Sequence, residues 1–157
     1  LKAMIIPNIH SVIILAAFPL CYGVAYLAGV DVFAAPLSHL LSLLIVFGIS
    51  ALLFAMNVMG AADSKLASAY AVWLGLGGLM PFLFYMALAG GVLGVGALLV
   101  KRFKPFANPS PEGWIGQVQA GAEKVPYGIA IVIGAFVSFG FLGYLDLTIL
   151  SAFLGRP

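Results

Sequence analysis

Charge is what this chain has least of. Only 8% of its 157 residues are Asp, Glu, Lys or Arg, and five of them are acidic, where soluble domains carry about 25%. A water-soluble globule is therefore excluded. The single cysteine, Cys21, excludes an intrachain disulfide and any Cys-x-x-Cys zinc site; it lies in an apolar stretch and reads as a small core residue. There is no His/Cys cluster and the acidic residues are scattered, so neither a metal nor an organic cofactor is expected. No Gly-x-Ser-x-Gly segment occurs, which removes support for a serine nucleophile. The net charge of +2 is small and no Lys/Arg run reads as a nucleic-acid patch, so no nucleic-acid partner is expected. No signal peptide is visible.

Apolar sequence fills the rest. Hydrophobic residues make up 64% of the chain, with a mean hydropathy of +1.18, and the length leaves room for roughly five or six spans of ~20 residues. We expect an all-α membrane protein, one polytopic domain over residues 1–157, built as a bundle of about five transmembrane helices. Span one runs from about Ile9 to Val30. Span two, with Pro36 suited to its first turn, runs from Leu37 to Val58. Span three starts near Ser64 and ends near Met80-Pro81. Span four covers Phe82 to Val100. Span five runs from Val125-Pro126 to about Tyr144, with an interfacial turn reaching Leu154.

Loop charge sets the expected orientation. With a cytoplasmic N-terminus, Lys2, Lys65, Lys101, Arg102, Lys104 and Lys124 are inside, and Arg156 is the one basic residue outside. The long connection, about 101–124, is then cytoplasmic. Its first half, Pro105 to Pro111, is too proline-rich for a helix. Its second half, Glu112 to Lys124, reads either as a short interfacial helix anchored by Trp114 or as a solvated loop. Gly90 and Gly94 have the small-xxx-small spacing that lets helices approach closely, and Gly75, Gly77 and Gly78 read the same way.

Against this background Asp63 stands out, because a carboxylate at the edge of a bilayer is costly to hold and marks a candidate functional site. The bland reading is that Asp63 N-caps span three. Lys65 reads as a side chain snorkelling to the headgroups. His10 and His39 fall near opposite faces and read as interface residues, and Asp31 and Asp146 as solvated. Asn57, Tyr70 and Tyr127 fall near the level of Asp63 and could line a cleft with it.

The segment Met59-Gly60-Ala61-Ala62-Asp63-Ser64-Lys65-Leu66, followed by Trp73-Leu74-Gly75, resembles the GxGD-x-K-L element of type IV prepilin peptidases. The likeness is greatest to the short kind that serves Tad/Flp-type pili. Ile6-Pro7-Asn8 resembles the family's Ile-Pro-Asn element, and Lys124-Val125-Pro126-Tyr127-Gly128-Ile129-Ala130 resembles the segment opening its last span. The three occur in family order at the cytoplasmic ends of three helices. The resemblance implies an aspartic-type endopeptidase of the bacterial inner membrane with its active site facing the cytoplasm. It would use two membrane-edge aspartates to cut the basic leader from prepilins, in contact with the pilus assembly machinery and the lipid bilayer. Asp63 matches the second aspartate, with Gly60, Ala61, Ala62 and Lys65 as supporting positions.

Two departures accompany the likeness. Ala62 stands where the motif has its middle glycine. Counting five residues back from Ile6 puts the first aspartate one position before Leu1, and the family's first span before that. Since the chain opens at Leu1 rather than at a methionine, we expect it to be cut at its N-terminus, with five of six spans, and to be inactive alone. The rival reading is a non-enzymatic multipass protein, a transporter component or assembly scaffold. It calls for polar groups along a midplane path, whereas the polar groups here gather at one face. A second rival is another GxGD protease such as an archaeal preflagellin peptidase.

Overall fold

The computed structural model describes residues 7–111, 113–122 and 126–153, and every regular element among them is helical. Expectations attached to Leu1, Lys2, Ile6, Glu112, Lys124, Val125, Leu154 and Arg156 concern residues outside these. In order, the helices are α1 (Asn8–Leu27), α2 (Pro36–Ala55), α3 (Ala61–Phe103), α4 (Trp114–Gln119), α5 (Tyr127–Phe141) and α6 (Leu147–Phe153). The all-α membrane bundle is thus the observed class: α1, α2 and α3 are each long and apolar enough to cross a bilayer, and α5 is a shorter apolar helix.

Pro36 opens α2, where its missing N–H would be unpaired in any case. Both α1 and α2 stop three residues before the hydropathy boundary, for the same reason. Gly29 (φ 68°) and Asn57 (φ 58°) take the left-handed conformation just past each helix. The Val30 and Val58 amides then donate back to the Ala25 and Leu53 carbonyls at 3.0 and 2.9 Å.

The third and fourth spans form one element, but not with the boundary expected. At 43 residues, α3 would be about 65 Å long if straight, twice a bilayer core. It breaks at Gly75, whose φ of 58° and ψ of −174° are the one non-helical pair within it. Met80-Pro81 is therefore not the boundary: Pro81 sits inside the second half and forgoes one helical hydrogen bond. Only glycine enters the Gly75 conformation without strain. A methyl group there would also meet the Ser38 hydroxyl at 3.0 Å and the His39 ring at 3.3 Å.

The break leaves backbone groups that each half would otherwise satisfy. Three side chains take them up. His39 Nδ1 donates to the Val72 carbonyl (2.7 Å), the Tyr144 hydroxyl donates to the Trp73 carbonyl (3.1 Å), and the Leu76 amide donates to the Ser38 hydroxyl (2.9 Å). His39 is thus a buried structural residue, 1% exposed, and not an interface residue. It sits among the rings of Phe18, Tyr22 and Phe33.

Contacts with α5 show that α3 folds back on itself. At one end of α5, Gly128 faces Asp63 while the Tyr127 ring lies against Gly90. At the other end, Tyr144 bonds to Trp73 while Leu142 lies against Gly78. One α5 end touches residues 63 and 90 and the other touches 73 and 78, so the halves of α3 run antiparallel. The core between them is made of Leu66, Ala67, Ala71 and Leu74 from the first half and Leu79 and Phe82 from the second. Ile131 and Ala135 of α5 and Val46 of α2 complete it.

Of the glycines read as packing positions, Gly90 is buried against Tyr127 and Ala130, whereas Gly94 has no neighbouring atom within 4 Å. The small-xxx-small pair is therefore not an interface. The close approach is at Gly134, where a methyl group would meet the Phe82 carbonyl oxygen and the Met86 amide nitrogen at 2.9 Å. The second half of the long connection contains α4, with Gly116 and Val118 buried, so the short-helix reading holds in place of the solvated loop.

Gly134→Ala is expected to lower the stability of the solubilised protein by about 1–3 kcal/mol, because backbone cannot yield to the methyl. Gly94→Ala, into open space, is expected to raise it by about 0.5–1 kcal/mol. Melting curves of the two variants in one detergent check the contrast.

Candidate active site

The site starts from Gly60. Its extended backbone (φ −72°, ψ 147°) makes it the N-cap of α3, and its carbonyl accepts the first helical bond, from the Ser64 amide at 3.0 Å. Asp63 is therefore not the cap. It lies in the first turn with helical backbone, and no side chain caps this end. Its half-buried carboxylate instead sits beside the positive end of the helix dipole.

Two of the supporting positions gain a physical reason. A methyl group on Gly60 would stand 3.0 Å from Asp63 Oδ2, so a side chain there would push the carboxylate aside. Ala62 is an ordinary half-buried helical residue, so the methyl in place of the motif's middle glycine is accommodated. Ala61 is exposed at the first helical position.

The other two motif segments both adjoin the first turn of α3. α5 begins after Pro126, and the Gly128 amide in its first turn faces the Asp63 carboxylate. This amide is one of the donors that a helix N-terminus leaves unpaired. Lys65 Nζ donates to Asn8 Oδ1 at 3.1 Å, and Asn8, after Pro7, is the first residue of α1. The lysine thus reaches a neighbouring helix. Two helix N-termini, those of α3 and α5, meet at Asp63, while that of α1 is tied to the first turn of α3 through Lys65.

Of the residues expected to line a cleft with Asp63, only Tyr127 lies beside it in the chain fold, against Gly90. Tyr70 lies about two turns further along α3, against Phe139. Asn57 is exposed and terminates α2. His10 bonds to the Pro7 carbonyl within its own turn (3.3 Å). Asp31 and Asp146 line a cavity of about 360 Å³ at the Gly75 end of the bundle. Asp146 there accepts the Thr148 amide at 2.9 Å, which holds its carboxyl below the usual carboxylate range. The larger of the two, about 600 Å³, is an open depression lined by the connection itself, between Pro105 and Gly116. Neither contains Asp63. No group of three or more His, Cys, Asp or Glu able to hold a metal occurs among the described residues.

The sequence reading missed the roles of Ser38, His39 and Tyr144 at the Gly75 break, and the Lys65–Asn8 bond. A histidine, a serine and a tyrosine inside apolar sequence were visible. Their partners are backbone groups 33, 38 and 71 positions away, which no local pattern reports.

No curated protein and no solved structure matches the chain. The model of the type IV leader peptidase family matches residues 1–95, well over half of the 157 residues, and so takes in Pro7-Asn8, Gly60 to Lys65 and both sides of the Gly75 fold-back. On that match, and with the all-helical membrane bundle, the chain belongs to the type IV leader peptidase family, whose members are aspartic-type membrane peptidases acting on prepilins.

Proposed function

We propose that this chain is the core of a prepilin leader peptidase. It cuts the basic leader from type IV pilin precursors, of the Flp kind, at the cytoplasmic face of the bacterial inner membrane, where the pilus assembly machinery takes up the product. Asp63 is one carboxylate of the catalytic pair. The other is the carboxylate that the family pattern expects ahead of its Ile-Pro-Asn element. The observation that carries this reading is the meeting of two motif-bearing helix ends at Asp63, where the Gly128 amide faces the carboxylate, with the third motif-bearing end tied to the same first turn of α3 by the Lys65–Asn8 bond.

The chemistry follows from a shared proton. Two adjacent carboxylates do not ionise together easily, so one stays protonated. The ionised member takes a proton from water, whose oxygen bonds to the scissile carbonyl carbon, while the protonated member donates to the carbonyl oxygen. Collapse of the tetrahedral adduct breaks the C–N bond, and the amine leaves with the proton taken from water. The amide ends of α3 and α5 place partial positive charge where negative charge moves.

The polar side chains inside the spans favour this reading over a conduction path. Ser50 pairs with Ser64 (2.8 Å), Ser68 donates to the Ser64 carbonyl (2.8 Å), and Ser138 donates to the Gly134 carbonyl (2.8 Å). These groups bond within and between helices.

Cleavage of a model prepilin in detergent or vesicles tests the proposal. With an aspartate-bearing first span joined ahead of Leu1, cleavage is expected, and Asp63→Asn is expected to reduce it at least about 100-fold. Residues 1–157 alone are expected to give none; cleavage by them would overturn the paired-carboxylate assignment. In the joined protein Gly60→Ala, which crowds Asp63 Oδ2, is expected to lower kcat by about 10- to 100-fold, and an unaffected kcat would show that the carboxylate position seen here is not the reactive one.

A further inference from the structure

We infer that the bilayer surface is stepped around this chain. Lipid covers α3 beyond Gly90, whereas over the neighbouring helix ends the surface dips to the level of Asp63, which meets water at a thinned patch of membrane. This seating does not depend on the proposed reaction.

Helix length sets the problem. α5 has 15 residues, and the first half of α3, residues 61–74, ends at the Gly75 break. Each is about 21–22 Å long, about 8 Å short of a ~30 Å hydrocarbon core. The second half of α3 leaves the same Gly75 end, and its apolar run over residues 76–100 covers about 37 Å. These three segments pack side by side through Leu66, Phe82 and Ile131. No flat slab matches all of them. A long helix takes up its excess by tilting, and a short one by thinning the bilayer.

The surface of α3 shows how far lipid reaches. Past Gly90 no residue of the helix is buried, and Val92, Val95, Leu98 and Leu99 all stand at least half exposed. α4 packs against α3 without burying any of them. This bare stretch runs about 15 Å beyond Gly90 to Val100. It ends at Lys101-Arg102-Phe103-Lys104, where Arg102, Phe103 and Lys104 are exposed, a basic and aromatic end suited to the headgroup layer. Hydrocarbon therefore extends to Val100.

The helix ends around Asp63 carry the opposite signal. Asp63 and Gly90 are level, since both meet the first turn of α5. At that level the chain joining α2 to α3 is irregular, with Met56, Asn57 and Val58 exposed. Lys65, further into the bundle, is exposed and donates to the exposed Asn8 at 3.1 Å. Exposed irregular backbone and a charged side chain are costly in hydrocarbon. A flat surface at Asp63 would leave the bare end of α3 in water. A flat surface at Lys101 would put Lys65, Asn8 and the α2–α3 connection in lipid. A stepped surface satisfies both sets of groups, and it brings water to Asp63 from the helix ends.

Spin labels on the full-length gene product in lipid nanodiscs, which expose both faces, test the step. In a Cys21→Ser background, a nitroxide is placed singly at Met56→Cys, Ala61→Cys, Val95→Cys or Leu98→Cys. Each replaces an exposed side chain, and Val58→Cys and Val92→Cys stand in for any variant whose melting curve departs from the parent's. Collisions with oxygen, which concentrates in lipid, and with a water-soluble nickel chelate are then compared. Oxygen is expected to dominate at 95 and 98 and nickel at 56 and 61, although 95 and 98 lie about 8–12 Å nearer the basic end. Nickel access at 95 and 98 would put the end of α3 in water and overturn the step. Low access to both reagents there would overturn it too, because a second copy or another protein would cover that face. Oxygen dominance at 56 and 61 would place a flat surface at Lys101, the third overturning result. None of these readouts uses a prepilin, so they stand apart from the cleavage assay.

Discussion

A helix that breaks inside a bilayer must satisfy its freed backbone groups within the protein, since lipid offers them no partner. The break at Gly75 meets that constraint with His39, Tyr144 and Ser38. Those side chains come from α2 and from the turn after α5, so satisfying the break also docks both neighbours against the middle of α3. The site depends on the result. Along an unbroken helix Gly90 would lie about 40 Å from Asp63. Folded back, both meet the first turn of α5, where Gly128 faces the carboxylate and Tyr127 covers Gly90.

Much of this was legible in residue order. Apolar segments separated by Asp31, by Gly60-Ala61-Ala62-Asp63 and by the Lys101-Arg102-Phe103-Lys104 end give the bundle and its passes, because span length and helix termination are local properties. The turn between the third and fourth passes was not legible in the same way. Pro81 offered the stronger local signal, yet the chain turns at Gly75. Gly75, Gly77 and Gly78 are equally free to do so. What selects Gly75 is that Ser38 and His39 stand opposite it, while Gly78 is needed as bare space beside Leu142. Selection by distant partners leaves no local trace.

The candidate site divides along the same line. Asp63 and its supporting glycine were identifiable by pattern, and so was the opening of α5. Their reasons were not. The steric demand of the Asp63 carboxylate on Gly60 and the tolerance of Ala62 depend on which residue is the N-cap, a place that the bland reading of the sequence gave to Asp63. With the cap moved to Gly60, the aspartate is freed from a structural duty. Its carboxylate is turned toward the neighbouring helix end and not spent on its own first turn.

This division explains how a site can be built in a chain so poor in charge. The group that faces Asp63 from its neighbour is backbone: the Gly128 amide in the first turn of α5, aimed by packing and not by an ionic partner. Backbone donors need only that helices begin at the right level. Small residues at the contacts, Gly90 and Gly134, let α5 approach closely enough to set that level. Level is also what loop charge cannot report. Lys101 and Arg102 bear on which side of the membrane a loop lies, but α3 runs on for about 20 Å past Gly90 before it ends. The carboxylate is therefore set back by about three and a half turns from the basic end of its own helix. The depth of the chemistry is set by where the chain folds back, and so by Gly75 and the three side chains that hold it.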